Sequence, residues 1–135
     1  VPDQEEDAMT TNVKELLSAA NAEVPRISPE DARRMVAEEH AVIVDVRDMP
    51  ELQASGKIPG SVHIPRGMLE FRADEATQYH DSNLAKDRPV ILHCASGGRS
   101  ALAGKTLKDM GYQQVFNLGG FKDWVEDGGE VEKLS

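Results

Sequence analysis

The chain has 135 residues, 39% hydrophobic and 29% charged, and carries a net charge of −9 at pH 7. That length suits one domain with a single core, and no apolar run approaches the roughly 20 residues that a bilayer-spanning helix needs. The acidity argues against nucleic-acid binding, which depends on basic surface. A single cysteine excludes an internal disulfide framework and a multi-cysteine zinc site and fits a reducing compartment.

In chain order, residues 1–7 contain Asp3, Glu5, Glu6 and Asp7, have little to bury and read as a mobile acidic tail. The acidic start lacks the basic and apolar regions of a secretory signal, so cytoplasm is the expected compartment. Over residues 11–22, Val13, Leu16, Leu17 and Ala20 recur at helical spacing and predict an amphipathic helix that packs on the rest of the chain. Residues 1–23 thus form a tail and helix, and residues 24–135 the main domain. Residues 24–27 read as a short first strand. Ser28 followed by Pro29 marks a helix start, and the helix runs to about Glu39, burying Ala32, Met35 and Val36. Residues 41–46 are apolar and largely β-branched until Asp45, the pattern of a second, buried strand.

Asp45 and Arg47 stand two apart, so on an extended strand both side chains face the same way. The spacing allows either a general base at Asp45 or a buried ion pair that orders the strand's end. Residues 50–55 read as a short helix ending at Gly56, and residues 61–64 as the third strand, stopped by Pro65. Met68, Leu69 and Phe71 precede a polar connection. Residues 90–92 form the fourth strand, and residues 100–110 a helix with Leu102, Thr106, Leu107 and Met110 along one side. Residues 114–118 predict the last strand. Gly119–Gly120 then turns the chain into a final helix whose Phe121, Trp124 and Val125 share a side.

The loop Cys94-Ala95-Ser96-Gly97-Gly98-Arg99 lies between the fourth strand and its helix. The first N–H groups of a helix lack intrahelical partners and carry partial positive charge. Glycines let such a loop curl and aim those groups inward at an anion. Cys94 sits where this field points, and the field favours thiolate over thiol. Arg99 closes the loop with a permanent charge. His93 is next to Cys94, but neighbouring strand residues point to opposite faces, so it is not the base for that thiol. His40, His63, His80 and His93 show no metal-ligand spacing.

This loop resembles the active loop of the rhodanese-like sulfurtransferases, six residues beginning with cysteine. The resemblance extends to Asp45-Val46-Arg47 with Glu51, to Gly56-Lys57-Ile58-Pro59-Gly60-Ser61-Val62-His63-Ile64-Pro65, and to Gly119-Gly120-Phe121-Lys122-Asp123-Trp124, covering roughly residues 27–128. Two positions depart from the family pattern: Lys57 stands where histidine is common, and Pro59 where some thiosulfate-using members carry arginine. Alternating strands and helices point to an α/β fold with a parallel sheet covered on both faces. The resemblance implies a three-layer sandwich with five parallel strands in the order 3-2-4-5-1, to which the N-terminal helix is extra.

It also implies sulfur transfer through a persulfide on Cys94, from a small anionic donor such as thiosulfate to cyanide, a thiol or a protein acceptor. The loop residues Ala95, Ser96, Gly97, Gly98, Arg99 and Ser100 would bind the substrate. Arg66 and Arg72 are candidate donor contacts, while Asp45, Arg47 and Glu51 are structural supports. No metal, organic cofactor, nucleic acid or membrane is called for. Four residues separate Cys94 from Arg99, one fewer than in a tyrosine-phosphatase cradle, which argues against phosphate hydrolysis and arsenate reduction. The alternatives are a partner-dependent sulfur carrier or sensor, and a binding domain whose N-terminal helix recruits a larger enzyme.

Overall fold

The computed structural model describes residues 10–134, so the acidic tail expected at the start lies outside the described residues. Helix α1 (Val13–Glu23) starts at Asn12, whose side chain accepts a hydrogen bond from the Glu15 N–H, and α2 (Pro29–Glu39) starts at Ser28, which caps Asp31 in the same way. Strand β1 (Val42–Asp45) follows, then α3 (Met49–Ser55) and β2 (Val62–His63). A 3-10 turn (Arg66–Met68) leads into α4 (Leu69–Ala73). Strand β3 (Val90–Cys94), α5 (Gly98–Asp109), β4 (Val115–Gly120) and α6 (Phe121–Glu126) complete the described order.

The sheet is parallel and runs β2-β1-β3-β4. Period-two alternation divides its side chains between two cores. Val42, Val44, Val90, Leu92 and Cys94 face Val24, Leu69, Ala103 and Leu107 on one side. Ile43, Ile91 and Leu118 face Ala32, Met35, Phe121 and Trp124 on the other. The result is helix, sheet and helix in three layers, with β3 central and its carboxyl end opening into the six-residue loop.

Among the described residues the sheet has four strands, against the five expected. Residues 24–27 contribute one isolated parallel bridge, Arg26 to Asn117, with the Asn117 N–H donating to Pro25 O (2.9 Å) and the Ile27 N–H to Asn117 O (3.0 Å). The segment lies on the β4 edge where a first strand belongs, but Pro25 has no N–H to donate and Val24 is still engaged in capping α1 through Ala20 O. Gly119 and Gly120 also differ from their reading as a turn: they are the last residues of β4, paired with His93 and Cys94.

Four amphipathic faces differ from what their spacing suggests. Val36 and Val125 are exposed, as are Val13 and Leu16 on α1. On α5 the buried side consists of Ser100, Ala101, Ala103, Gly104 and Leu107 rather than Leu102 and Thr106. Small residues let α5 approach the sheet closely: a Cβ on Gly104 would lie 2.8 Å from Val24 Cγ1.

Candidate functional site

The sheet's carboxyl edge brings together β3, the loop, the start of α5 and the end of β4. Cys94 is the last residue of β3 and is 1% exposed. Gly97 takes φ +104°, open at low cost only to glycine, and this bend turns its N–H back to donate to Cys94 Sγ at 3.0 Å. Burial alone would push the Cys94 thiol up, but the Ser100 hydroxyl and the N–H groups of Ser100, Gly97 and Ser96 more than offset it and hold the thiol below its ordinary value. The thiolate is thus supported by hydrogen-bond donors before any formal charge.

Ser100 is fully buried, and its Oγ lies 2.7 Å from Asn117 Oδ1, 3.1 Å from Gly97 O and 3.4 Å from Cys94 Sγ. Its single proton is therefore shared among three acceptors. Asn117 is buried at mid-β4. Its Oδ1 accepts from the Gly119 N–H (2.8 Å) as well as Ser100, and its Nδ2 donates to Gly97 O (3.2 Å). Asn117 therefore holds the carbonyl of the same residue whose N–H reaches the sulfur. Nothing in the loop motif pointed to Asn117; the available signal was an amide inside an otherwise apolar strand, since a buried polar group must find partners. Gly120 lies against the loop as well, where a Cβ would clash with the Ala95 carbonyl oxygen.

Replacing Ser100 by alanine should raise the pKa of Cys94, because the hydroxyl is the first of the donors that lower it. The pH dependence of Cys94 alkylation by iodoacetamide reads this directly; an unmoved midpoint would show that the hydroxyl gives the thiolate nothing.

The charged candidates are placed differently from the thiol. Both Nη atoms of Arg99 donate to Glu51, at 2.8 Å each, while the Asp48 N–H also donates to the Glu51 carboxylate at 2.8 Å. The Arg99 hydrogen bonds, working against burial, take Glu51 down to about 2, so it stays ionised at neutral pH. Arg66 donates to Glu70 (2.8 Å) and to Thr106 Oγ1 (3.1 Å), on the flank of α5. Arg72 lies near the end of α4, and its guanidinium has no partner among the described residues.

On the opposite face of the sheet, Asp45 and Arg47 form a buried pair. Arg47 Nη2 donates to Asp45 Oδ2 at 2.8 Å, Nε donates to Oδ1 at 3.0 Å, and the rest of the fork goes to Ser55 Oγ and Gly56 O. His93 stacks on Phe121 there, with Nδ1 3.3 Å from the Cys94 carbonyl oxygen, on the far side of β3 from the thiol. No cluster of histidine, cysteine and carboxylates suited to a metal occurs among the described residues, and no helix among them is long and apolar enough to cross a membrane.

The model of the rhodanese-like domain matches residues 28–127. A putative sulfur carrier protein of Bacillus subtilis, YrkF, is 37% identical over 111 residues, covering 80% of this chain and 55% of its own length. Among solved structures, a Rhodopseudomonas palustris protein described as of unknown function and a possible tyrosine phosphatase superposes with a TM-score of 0.84 at 40% identity, covering 91% of this chain and 96% of that one. The polysulfide-sulfur transferase homodimer of Wolinella succinogenes gives a TM-score of 0.74 at 34% identity, covering 99% and 96%. A match of this extent, around a loop built on the chain's sole cysteine, places the chain in the rhodanese-like domain family.

Proposed function

We propose that this protein is a sulfurtransferase that carries sulfane sulfur as a persulfide on Cys94. The observation that carries the reading is the thiol itself: buried, sole in the chain, and aimed at by loop N–H groups that favour its anion. Relatives named as a sulfur carrier and as a polysulfide-sulfur transferase support the same chemistry.

In the first half-reaction the Cys94 thiolate attacks the outer sulfur of a donor. With thiosulfate, a new S–S bond forms on Cys94, the donor S–S bond breaks and its electron pair leaves with sulfite. In the second, cyanide or a thiolate attacks the outer sulfur of the persulfide, and Cys94 returns as thiolate. The N–H groups of Ser96, Gly97 and Ser100 hold negative charge in both forms of the enzyme, which is the preorganised stabilisation that such a loop supplies. No metal or organic cofactor takes part in this scheme. Phosphate hydrolysis fits less well, because the Arg99 fork that a phosphate would need is occupied by Glu51.

Intact-protein mass after brief incubation with thiosulfate tests the reading. Addition of one sulfur, about 32 Da, removed by a thiol, is expected of a persulfide. A protein that takes up no sulfur from thiosulfate, 3-mercaptopyruvate or glutathione persulfide would favour instead a carrier that is loaded only by a partner protein.

A further inference from the structure

Arg99 is the one formal positive charge in the loop, and its charge is answered before any donor arrives. Both of its Nη atoms are bonded to the two oxygens of Glu51 in a forked pair, the strongest geometry available to a guanidinium and carboxylate. Glu51 is itself fixed by the Asp48 N–H at the start of α3, so the carboxylate belongs to the frame of the site. The pair is only partly buried, with side-chain exposures of 37% for Arg99 and 33% for Glu51, so it borders solvent from which a donor comes. The Cys94 thiolate also favours the charged form of Arg99, after Glu51, which puts the guanidinium within electrostatic reach of the sulfur.

Two other arginines near the sheet's carboxyl edge, Arg47 and Arg66, likewise face their own carboxylates, Asp45 and Glu70. The groups that bond the sulfur itself are N–H and O–H dipoles, suited to the single charge of a thiolate or persulfide. A dianionic donor would gain from a free guanidinium; a thiol persulfide, R–S–SH, would not need one.

We propose that Glu51 is the donor-selecting residue of this site. By occupying the Nη1–Nη2 fork of Arg99 and answering its charge, it sets the site to take sulfur from thiol persulfides in preference to the thiosulfate dianion. This rests on the sulfur-transfer reading above. The loading step balances: Cys94 thiolate attacks the outer sulfur of R–S–SH, the donor S–S bond breaks, R–S⁻ leaves, and Cys94–S–SH remains. Selectivity here is a difference between two donors, produced by withholding an attraction from one of them.

The test compares kcat/KM for loading of Cys94 by thiosulfate and by glutathione persulfide, whose reacting end carries at most one charge. Wild type should favour the persulfide at least tenfold. Glu51→Gln keeps an oxygen for the Asp48 N–H but frees the Arg99 charge; the thiosulfate-to-persulfide ratio should rise about tenfold, and thiosulfate loading should fall steeply with added salt. In Glu51→Gln/Arg99→Met the ratio should return to within about twofold of wild type, which closes the cycle through Arg99. Preference of the wild type for thiosulfate, or a Glu51→Gln ratio within twofold of wild type, would overturn donor selection and leave sulfur transfer standing. A double variant whose ratio falls tenfold below wild type would overturn it too, by showing that Arg99 already holds the donor. Loading by neither donor would overturn both readings.

Discussion

Cys94→Ser should reduce sulfur transfer to the uncatalysed background while the fold persists. The chain has no second cysteine to take over, and a serine hydroxyl neither ionises in the range of a thiol nor holds a transferable sulfur atom. The surroundings accept the exchange: Gly97 N–H and Ser100 Oγ can bond an oxygen as they bond Sγ. Stability should therefore fall by less than the about 1–3 kcal/mol that an unpartnered buried hydroxyl costs. Turnover measured with thiosulfate and cyanide, beside a urea unfolding curve, separates the two effects. Residual turnover by a folded Cys94→Ser protein would remove the persulfide from the mechanism.

The largest expected loss of stability follows Arg47→Met. The Arg47 side chain is 2% exposed and that of Asp45 0%, and Arg47 also lies over the Phe121 ring with its guanidinium carbon 4.3 Å from the centroid. Removing one member of a buried pair leaves the other charged without compensation, at a cost of about 3–5 kcal/mol. Whole domains have only about 5–15 kcal/mol. The loss should depend on pH in a defined direction. In the wild type, burial raises the Asp45 carboxyl, but the Arg47 hydrogen bonds prevail and hold it below its ordinary value of 3.8. Its contribution is thus present above 3.8 and lost as pH falls through the lower folded value. In Arg47→Met the guanidinium is lost while burial, the residue-47 backbone N–H and His93 stay, so the Asp45 carboxyl rises from its wild-type value and its charged form is the more heavily penalised one. The gap between variant and wild type should then shrink as the solution is taken from pH 7 towards 4.5, as read by urea unfolding. An equal gap at both would mean that the Asp45 charge is not what Arg47 stabilises.

Local features of the sequence were sufficient for the elements that depend on local chemistry. The Ser28-Pro29 start, the β-branched run before Asp45 and the two glycines after Cys94 each act through their own backbone or their nearest neighbours. Residues that act across the fold were harder to read. Glu51 and Arg99 are 48 positions apart, so a local reading keeps Arg99 as a free charge, whereas packing α3 against the loop supplies its carboxylate. Asn117 gains its role from a strand register that sets it beside Gly97 and Ser100, and that register includes a shift between Leu92 and His93. Gly119 and Gly120 resemble a turn by composition. Their actual constraint is space, because Arg26 lies against the first and the Ala95 carbonyl against the second. The α5 face misled for a related reason: close helix-to-sheet packing selects the small Ala103 and Gly104, beside Leu107, over Leu102 and Thr106.

Helix α1 lies ahead of the residues matched by the family model, yet it is bound into the same body. Val24, which ends it, fills the space left by Gly104, Glu23 pairs with Lys105 at 3.3 Å, and Leu17 reaches Gly98 at the foot of the loop. A fragment trimmed to the matched span would therefore strip the flank of α5 and leave Gly104 facing a void. The stretch that identifies the family and the stretch that packs together around α5 have different amino-terminal limits, and the second begins earlier.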